Sequence, residues 1–204
     1  MKLKKKVLVT IGREYGSGGK KIAEALGKDL GIPVYDKNLL KIIADKHDID
    51  ADLLENDDEN LSNPFFEPYF TYGIDTASRS SRLFSLQSRI IREKADKESA
   101  IFVGRCADDV LSDYDDVVSI FIYAPKDVRI KRIMRTEDIA DSLAAEKILK
   151  RVDKSRKSYY QFYTDRKWGT TDGHDLIINS ACLGLKGTLE FIEDFLVRLG
   201  YVEP

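Results

Sequence analysis

With 204 residues, 33% of them charged and 43% hydrophobic, the chain is long enough for one sizeable core with small inserted pieces. A net charge of -2 excludes a nucleic-acid-binding composition, and no apolar run approaches the roughly 20 residues that a membrane span needs. Cys106 and Cys182 give no disulfide framework, and with only two distant histidines they argue against a structural zinc site, so a reducing cytoplasm is the expected location.

The first ten residues, MKLKKKVLVT, are basic but lack a long apolar segment and a small-residue cleavage site. They read as the flank of a first strand rather than a signal peptide. Five β-rich runs follow along the chain, at 7–11, 32–35, 100–103, 117–123 and 175–179. Between them the apolar period changes to that of a helix. Ile22, Ala23, Leu26 and Leu30 form one stripe, and Leu39 and Ile43 begin another. Leu83, Leu86, Ile90 and Ile91 form a third, and Leu189, Ile192, Leu196 and Leu199 the last. Near-continuous apolar strands alternating with amphipathic helices predict an α/β domain with a parallel sheet covered on both faces.

The turn after the first strand is the strongest chemical signal. Gly12, Gly16, Gly18 and Gly19 fall within eight residues, between a strand and a helix pattern. Glycines leave backbone N–H groups open to an anion and permit positive φ, and a helix N-terminus attracts phosphate. The common phosphate-loop rule asks for glycine, four residues, Gly-Lys and then Ser or Thr. Here Glu14 stands where the first glycine is expected and Lys21 where the hydroxyl is expected. The residues alone therefore leave open a nucleotide site, another anion site or a tight structural turn.

Two long connections interrupt the strand–helix rhythm. Residues 46–82 hold six acids between Asp50 and Glu59, then the aromatic stretch LSNPFFEPYFTYG. Residues 135–174 include a basic helix-like stretch and the segment RKSYYQFYTDRKWGTTDGHD. Thirteen Lys/Arg against seven Asp/Glu over 126–167 make this region locally basic. Long segments on a compact core are read as an acceptor-side insert and a lid-like cover, or else as caps or a homodimer contact. Arg129, Arg132 and Arg135 repeat at three and so share one helical face.

The run IGREYGSGGKKIAEAL resembles the cytidylate kinase-like family, a branch of the P-loop nucleoside monophosphate kinases, and the similarity extends over the whole chain. The resemblance implies a three-layer P-loop sandwich, with a five-stranded parallel sheet in the order 2-3-1-4-5. It also implies ATP and Mg2+ as cofactors and small-molecule nucleotides as partners, with no role for nucleic acid or membrane. True cytidylate kinases read roughly Gly-Ser-Gly-Lys-Ser-Thr in the loop, whereas this chain reads Gly16-Ser17-Gly18-Gly19-Lys20-Lys21. Gly19 thus falls on the usual lysine, and Lys20 is expected to take over its role after a one-residue adjustment. Gly12, Gly16, Ser17, Gly18, Gly19, Lys20 and Lys21 become the donor-phosphate set.

Further segments extend the resemblance. In PVYDKNLLKII, Asp36 matches an acceptor-site aspartate, and its other reading is a helix N-cap. Gly104-Arg105 matches a Gly-Arg-Asp run, with Cys106 in place of the aspartate and Asp108 shortly after. Arg105 offers a planar fork for a phosphate or base. Gln87 falls near a Gln-Arg pair but is followed by Ser88, while Arg79 and Arg82 are read as reaching the acceptor phosphate. Asp153 and Arg156 match the lid spacing Asp-x-x-Arg, preceded by Arg151, and the resemblance puts Asp153 with Asp36, Arg79, Arg82, Gln87, Arg105 and Asp108 on the acceptor side. Arg132, Arg151 and Arg156 are expected to join Lys20 in neutralising the transferring phosphoryl group, a reaction that needs positioned cations more than acid–base groups. Tyr159, Tyr160, Tyr163 and Trp168 are read as packing, with base stacking the alternative. Cys182 and His174 are read as structural.

The expected function is ATP-dependent phosphoryl transfer to CMP or dCMP. Kinase action on another small acceptor, and a nucleotide-binding protein without catalysis, remain the alternatives. Magnesium ligands stay unassigned, with Ser17, Asp36 and Asp108 as candidates through water.

Overall fold

The computed structural model describes residues 1–36 and 74–203, with backbone alone at 74–80. The stripe at Leu39 and Ile43, the acidic run and the aromatic stretch after it lie outside the described residues.

Strand β1 (Leu8–Arg13) is followed by α1 (Gly19–Leu30) and β2 (Val34–Tyr35). Then come α2 (Ile74–Lys97), β3 (Ala100–Val103), the short α3 (Ala107–Val110) and β4 (Val117–Tyr123). Helices α4 (Lys126–Thr136) and α5 (Ser142–Thr164) precede β5 (Leu176–Asn179) and α6 (Gly184–Arg198). The strands form one five-stranded sheet in the order β2-β3-β1-β4-β5, with all pairings parallel. All five expected strands are present, and the expected order is the observed one.

Strand β1 lies at the centre because both its faces are apolar. Val9 and Ile11 join the core under α1 and α6, with Ile22, Leu26, Ile192 and Leu196. Leu8 faces the other way, into a second core with Phe102, Ile90, Ile91 and Leu111 from the α2 and α3 side. A smaller cluster of Ile133, Ala145 and Leu149 joins α4 to α5, and Tyr15 from the glycine-rich turn packs on it. The turn is therefore attached to both the sheet and the α4–α5 pair.

Local chemistry sets the helix ends. Gly18 is the left-handed N-cap of α1 (φ 85°), and Gly31 closes the helix with φ 68°. Asp141 caps α5 by accepting from the Leu143 amide at 2.9 Å. The last stripe departs from expectation at one residue, since Leu199 is 42% exposed. Helix α6 ends at Arg198, and the Tyr201 amide turns back to the Leu196 carbonyl. Tyr201 and Val202 then occupy the buried place beneath it.

Gly27 lies on the buried face of α1, where an added β-carbon would overlap Val34 Cγ2 and approach the Ile32 carbonyl oxygen at 3.0 Å. Gly27→Ala gains about 1 kcal/mol in helix propensity, but overpacking costs about 1–3 kcal/mol. Urea denaturation should show net destabilisation. Equal or greater stability would mean that the α1–β2 contact is looser than described.

Candidate active site

All strands run in one direction, so their carboxyl ends share one edge of the sheet, where α/β folds bind ligands. A cleft of 680 Å³ opens there. Its walls include Gly16, Gly18, Gly19, Lys20, Lys21 and Asp36 from the first βα units, and Arg132, Arg151 and Arg156 from α4 and α5. Nine residues singled out from the sequence are thus brought to one cavity. Gly12 and Ser17 sit in the wall behind it. A β-carbon at Gly12 would meet the Phe121 ring at 2.7 Å, and Ser17 is fully buried.

The turn is held from outside through its carbonyl groups. Arg156 Nη1 donates to the Arg13 carbonyl at 3.2 Å, Arg129 Nη1 to the Tyr15 carbonyl at 3.3 Å, and Arg132 Nη1 to the Ser17 carbonyl at 2.6 Å. In a planar trans peptide the N–H points opposite to the C=O. Fixing the Tyr15 and Ser17 carbonyls therefore turns the Gly16 and Gly18 amides to the other side. Gly16 (φ 75°) and Gly18 (φ 85°) adopt the left-handed backbone that this alternation requires. Ser17 Oγ accepts from the Gly19 amide at 3.3 Å, while Arg132 continues to Ser180 Oγ at 2.9 Å and to the Ser180 carbonyl at 3.1 Å.

Arg129 is the centre of this scaffold. It is 8% exposed and ion-paired with Asp153 on α5, and its Nε lies 3.3 Å from Glu14 Oε2. Asp153 Oδ1 also accepts from the Tyr15 amide at 2.8 Å, and Glu14 Oε2 accepts from the Ala124 amide at 3.1 Å. Burial raises the Glu14 carboxyl above its ordinary value, and the Ala124 amide and the Arg129 charge oppose that rise. Burial lowers the Arg132 guanidinium, as does the Arg135 charge. Asp153, expected on the acceptor side, is placed behind the turn. Arg129 and Glu14 were not singled out as site residues. The recurrence of arginine at 129, 132 and 135 was the available signal, but only the fold shows which guanidinium points inward.

Lys20 Nζ lies 2.9 Å from Asp36 Oδ2 and 3.8 Å from Glu24 Oε1, at the rim of the cleft. Lys21 is exposed on the same wall. Gln87, Arg105 and Asp108 gather elsewhere, around the tyrosines of α5. Tyr159 Oη donates to Gln87 Oε1 at 3.0 Å, the Arg105 guanidinium lies 5.8 Å from the Tyr159 ring centre, and Tyr160 Oη donates to Asp108 Oδ2 at 2.5 Å. Tyr163 stacks on Phe84 of α2 at 4.1 Å. These aromatics bind α5 to α2, and the expected packing role of the tyrosines is what the contacts show. Arg105 and Cys106 are left-handed (φ 60° and 53°), so the Gly104-Arg105-Cys106 turn is sharply bent. Burial pushes the Cys106 thiol up. Arg82 is exposed on α2, and the Arg79 side chain lies outside the described residues.

Ser17, Asp36 and Asp108 were the candidates for holding magnesium. Ser17 Oγ is buried against an amide, Asp36 is paired with Lys20, and Asp108 accepts from Tyr160. Among the described residues no group of three or more His, Cys, Asp or Glu is arranged to hold a metal. These three residues do not fit a protein cage for the ion.

The model of the cytidylate kinase-like family matches residues 8–181. The chain belongs to that family. This places it in the P-loop nucleoside monophosphate kinase-like superfamily of small-molecule phosphoryl-transfer enzymes. An uncharacterized protein from Eubacterium ventriosum ATCC 27560 has a similar crystal structure, with a TM-score of 0.72 and 31% identity over 94% of this chain and 98% of that one. Shikimate kinase from Bacteroides thetaiotaomicron superposes with a TM-score of 0.54 at 13% identity, covering 93% of this chain and 98% of its own. Shikimate kinase from Acinetobacter baumannii gives 0.52 at 11% identity, covering 95% and 94%. The two shikimate kinases share the fold. Comparison with curated proteins finds no match. Among the described residues no helix is long and apolar enough to cross a membrane.

Removing the central cation of this family member's loop scaffold leaves two carboxylates without their buried partner. Arg129→Met should cost about 3–5 kcal/mol in urea denaturation. Adding Asp153→Leu should recover part of that loss. A single-variant loss below about 1 kcal/mol would show that the cluster does not hold the turn.

His174 gives a separate expectation. Its Nδ1 lies 2.9 Å from Ser119 Oγ, and burial lowers its pKa from the ordinary 6.5, against the opposing charges of Asp108 and Asp175. The folded state therefore resists protonation that the unfolded state accepts, so stability falls as pH drops through 6.5 towards the lower folded value. Thermal melts from pH 8 to about pH 5.5 should show this slope, and His174→Gln should flatten it. An unchanged slope would assign the effect to other groups.

Proposed function

We propose that this chain transfers the γ-phosphoryl group of ATP to a small anionic, nucleotide-like acceptor. The observation that carries this reading is the turn itself. Its carbonyls are held outward by Arg129, Arg132 and Arg156, and Arg151 and Arg156 face the same cleft. A cavity with backbone amides on one wall and guanidinium groups on the other suits a polyphosphate.

The chemistry needs no covalent intermediate. An acceptor oxygen attacks the γ-phosphorus, the bond to the β–γ bridging oxygen breaks, and ADP leaves with that electron pair. Lys20 and the loop amides bind donor phosphates, and Arg151 and Arg156 neutralise charge on the transferring group. Arg132 acts by positioning the loop, because three of its five N–H donors go to Ser17 and Ser180. The 135–174 segment serves as the lid-like cover and 46–82 as the acceptor-side insert. Magnesium would arrive with the nucleotide, which usually supplies phosphate ligands and keeps water on the ion.

CMP and dCMP are the acceptors to which the family resemblance points. A different small acceptor is favoured by two features: Cys106, after β3, is buried in a left-handed turn, and Gln87 on α2 accepts from Tyr159. A nucleotide-binding role without catalysis is favoured by the absence of a Ser or Thr after Lys20, beside a glycine at position 19 where true cytidylate kinases carry lysine.

The test is an acceptor panel with ATP and magnesium, read by ADP formation. Nucleoside monophosphates and small hydroxy-acid metabolites form its two arms. ADP should form only when an acceptor is present. ATP binding without ADP formation in either arm would establish the non-catalytic reading instead.

A further inference from the structure

The glycine at position 19 poses a charge problem. Phosphoryl transfer develops negative charge that P-loop enzymes meet with a lysine at this position. Lys20 is one residue further along α1, and its ammonium is held by Asp36 at 2.9 Å. The stem of another cationic side chain, Arg13, passes over Gly19, and its guanidinium reaches Gly104.

A β-carbon built on Gly19 would lie 2.6 Å from Arg13 Cβ and 3.1 Å from Arg13 Cγ. A β-carbon on Gly104 would overlap Arg13 Nη1 and lie 3.2 Å from Arg13 Cζ. The Arg13 side chain therefore runs from the last residue of β1, over the first residue of α1, to the residue that follows β3. That path links the glycine-rich loop to the carboxyl end of β3, and Arg13 lines the cleft. Both glycines leave room for it. Its backbone is fixed by the pairing with Ile122 and by the Arg156 donation to its carbonyl at 3.2 Å.

We propose that Arg13 supplies the phosphate-facing cation that the loop lacks at Gly19. It does so from the preceding strand instead of from the helix. A guanidinium keeps its charge at every working pH and offers donors in a planar fork, so it can contact a β- and a γ-phosphate oxygen together. During transfer it would neutralise charge as the acceptor–phosphorus bond forms and the bond to the leaving ADP breaks, with no proton passing through it. This inference rests on the phosphoryl-transfer reading, and it names a catalytic residue for that reaction.

The experiment compares Arg13→Ala, Arg13→Lys and Lys20→Ala with the wild-type chain, each checked by thermal melting. Two readouts are used: phosphoryl transfer with the best acceptor, and calorimetric binding of ATP against adenosine. Arg13→Ala should lower kcat by roughly 100–1,000-fold, the loss typical of one preorganised charge-stabilising contact. It should weaken ATP binding while leaving adenosine binding unchanged. Arg13→Lys should recover part of the rate, and millimolar guanidinium should rescue Arg13→Ala, which a purely structural role does not predict. Lys20→Ala should cost less than Arg13→Ala in kcat.

Unchanged kcat and ATP affinity in Arg13→Ala would overturn the inference. So would a larger loss in Lys20→Ala than in Arg13→Ala. If the wild-type chain binds ATP but transfers to no acceptor, the kinase reading fails and the binding readout still decides whether Arg13 faces the phosphates. A wild-type chain that binds adenosine and ATP equally would overturn both. If Arg13→Ala fails to fold, Arg13→Lys and Arg13→Gln carry the same comparison.

Discussion

A buried guanidinium holds three parts of this molecule in register. Arg129 leaves α4, pairs with Asp153 of α5 and with Glu14 of the glycine-rich turn, and donates to the Tyr15 carbonyl. Burying a cation is costly, and the cost is offset only if carboxylates and carbonyls surround it. Two carboxylates and a carbonyl do so here, and each carboxylate also accepts a backbone amide. The cation therefore keeps its place only when α4, α5 and the turn come together. The geometry of the glycine-rich turn depends on that assembly.

The consequence for ligand binding follows from peptide geometry. A loop presents amides to an anion only if its carbonyls are satisfied elsewhere. In this chain the arginines satisfy them, with Arg156, Arg129 and Arg132 each taking one. Two of those three were expected from the sequence to act directly on the transferring phosphoryl group. Arg132 shows why the distinction matters. A guanidinium bound to Ser17 and Ser180 is partly desolvated, and its burial lowers its pKa, so it is a fixed strut more than a mobile clamp. Arg151 is exposed on the cleft wall, where a ligand can recruit it.

The sheet was legible because its residues are buried on both faces, which makes short continuous apolar runs hard to mistake between Gly and charged flanks. The strand order followed from the family resemblance, since periodicity does not encode which strand lies beside which. Leu199 failed because a helix stripe does not reveal where the helix stops, and Gly200 turns the chain one residue earlier than the stripe implied. In the site, the glycines and the basic face of α4 were visible as spacing. The partners were not. Lys20 meeting Asp36, Asp153 meeting the Tyr15 amide and Arg13 reaching Gly104 are contacts between residues far apart in sequence. Arg13 in particular looked like a strand end, and nothing local distinguished it from a solvated arginine.

The proposed chemistry depends above all on the turn between β1 and α1 receiving the phosphates of a nucleotide. A crystal structure of the wild-type chain with a non-hydrolysable ATP analogue tests this most directly. The β- and γ-phosphates should lie against the Gly16 and Gly18 amides, with the guanidinium of Arg13 in contact with them. Phosphates bound elsewhere in the cleft, or an analogue seated on the tyrosine side of α5 with the turn empty, would contradict it.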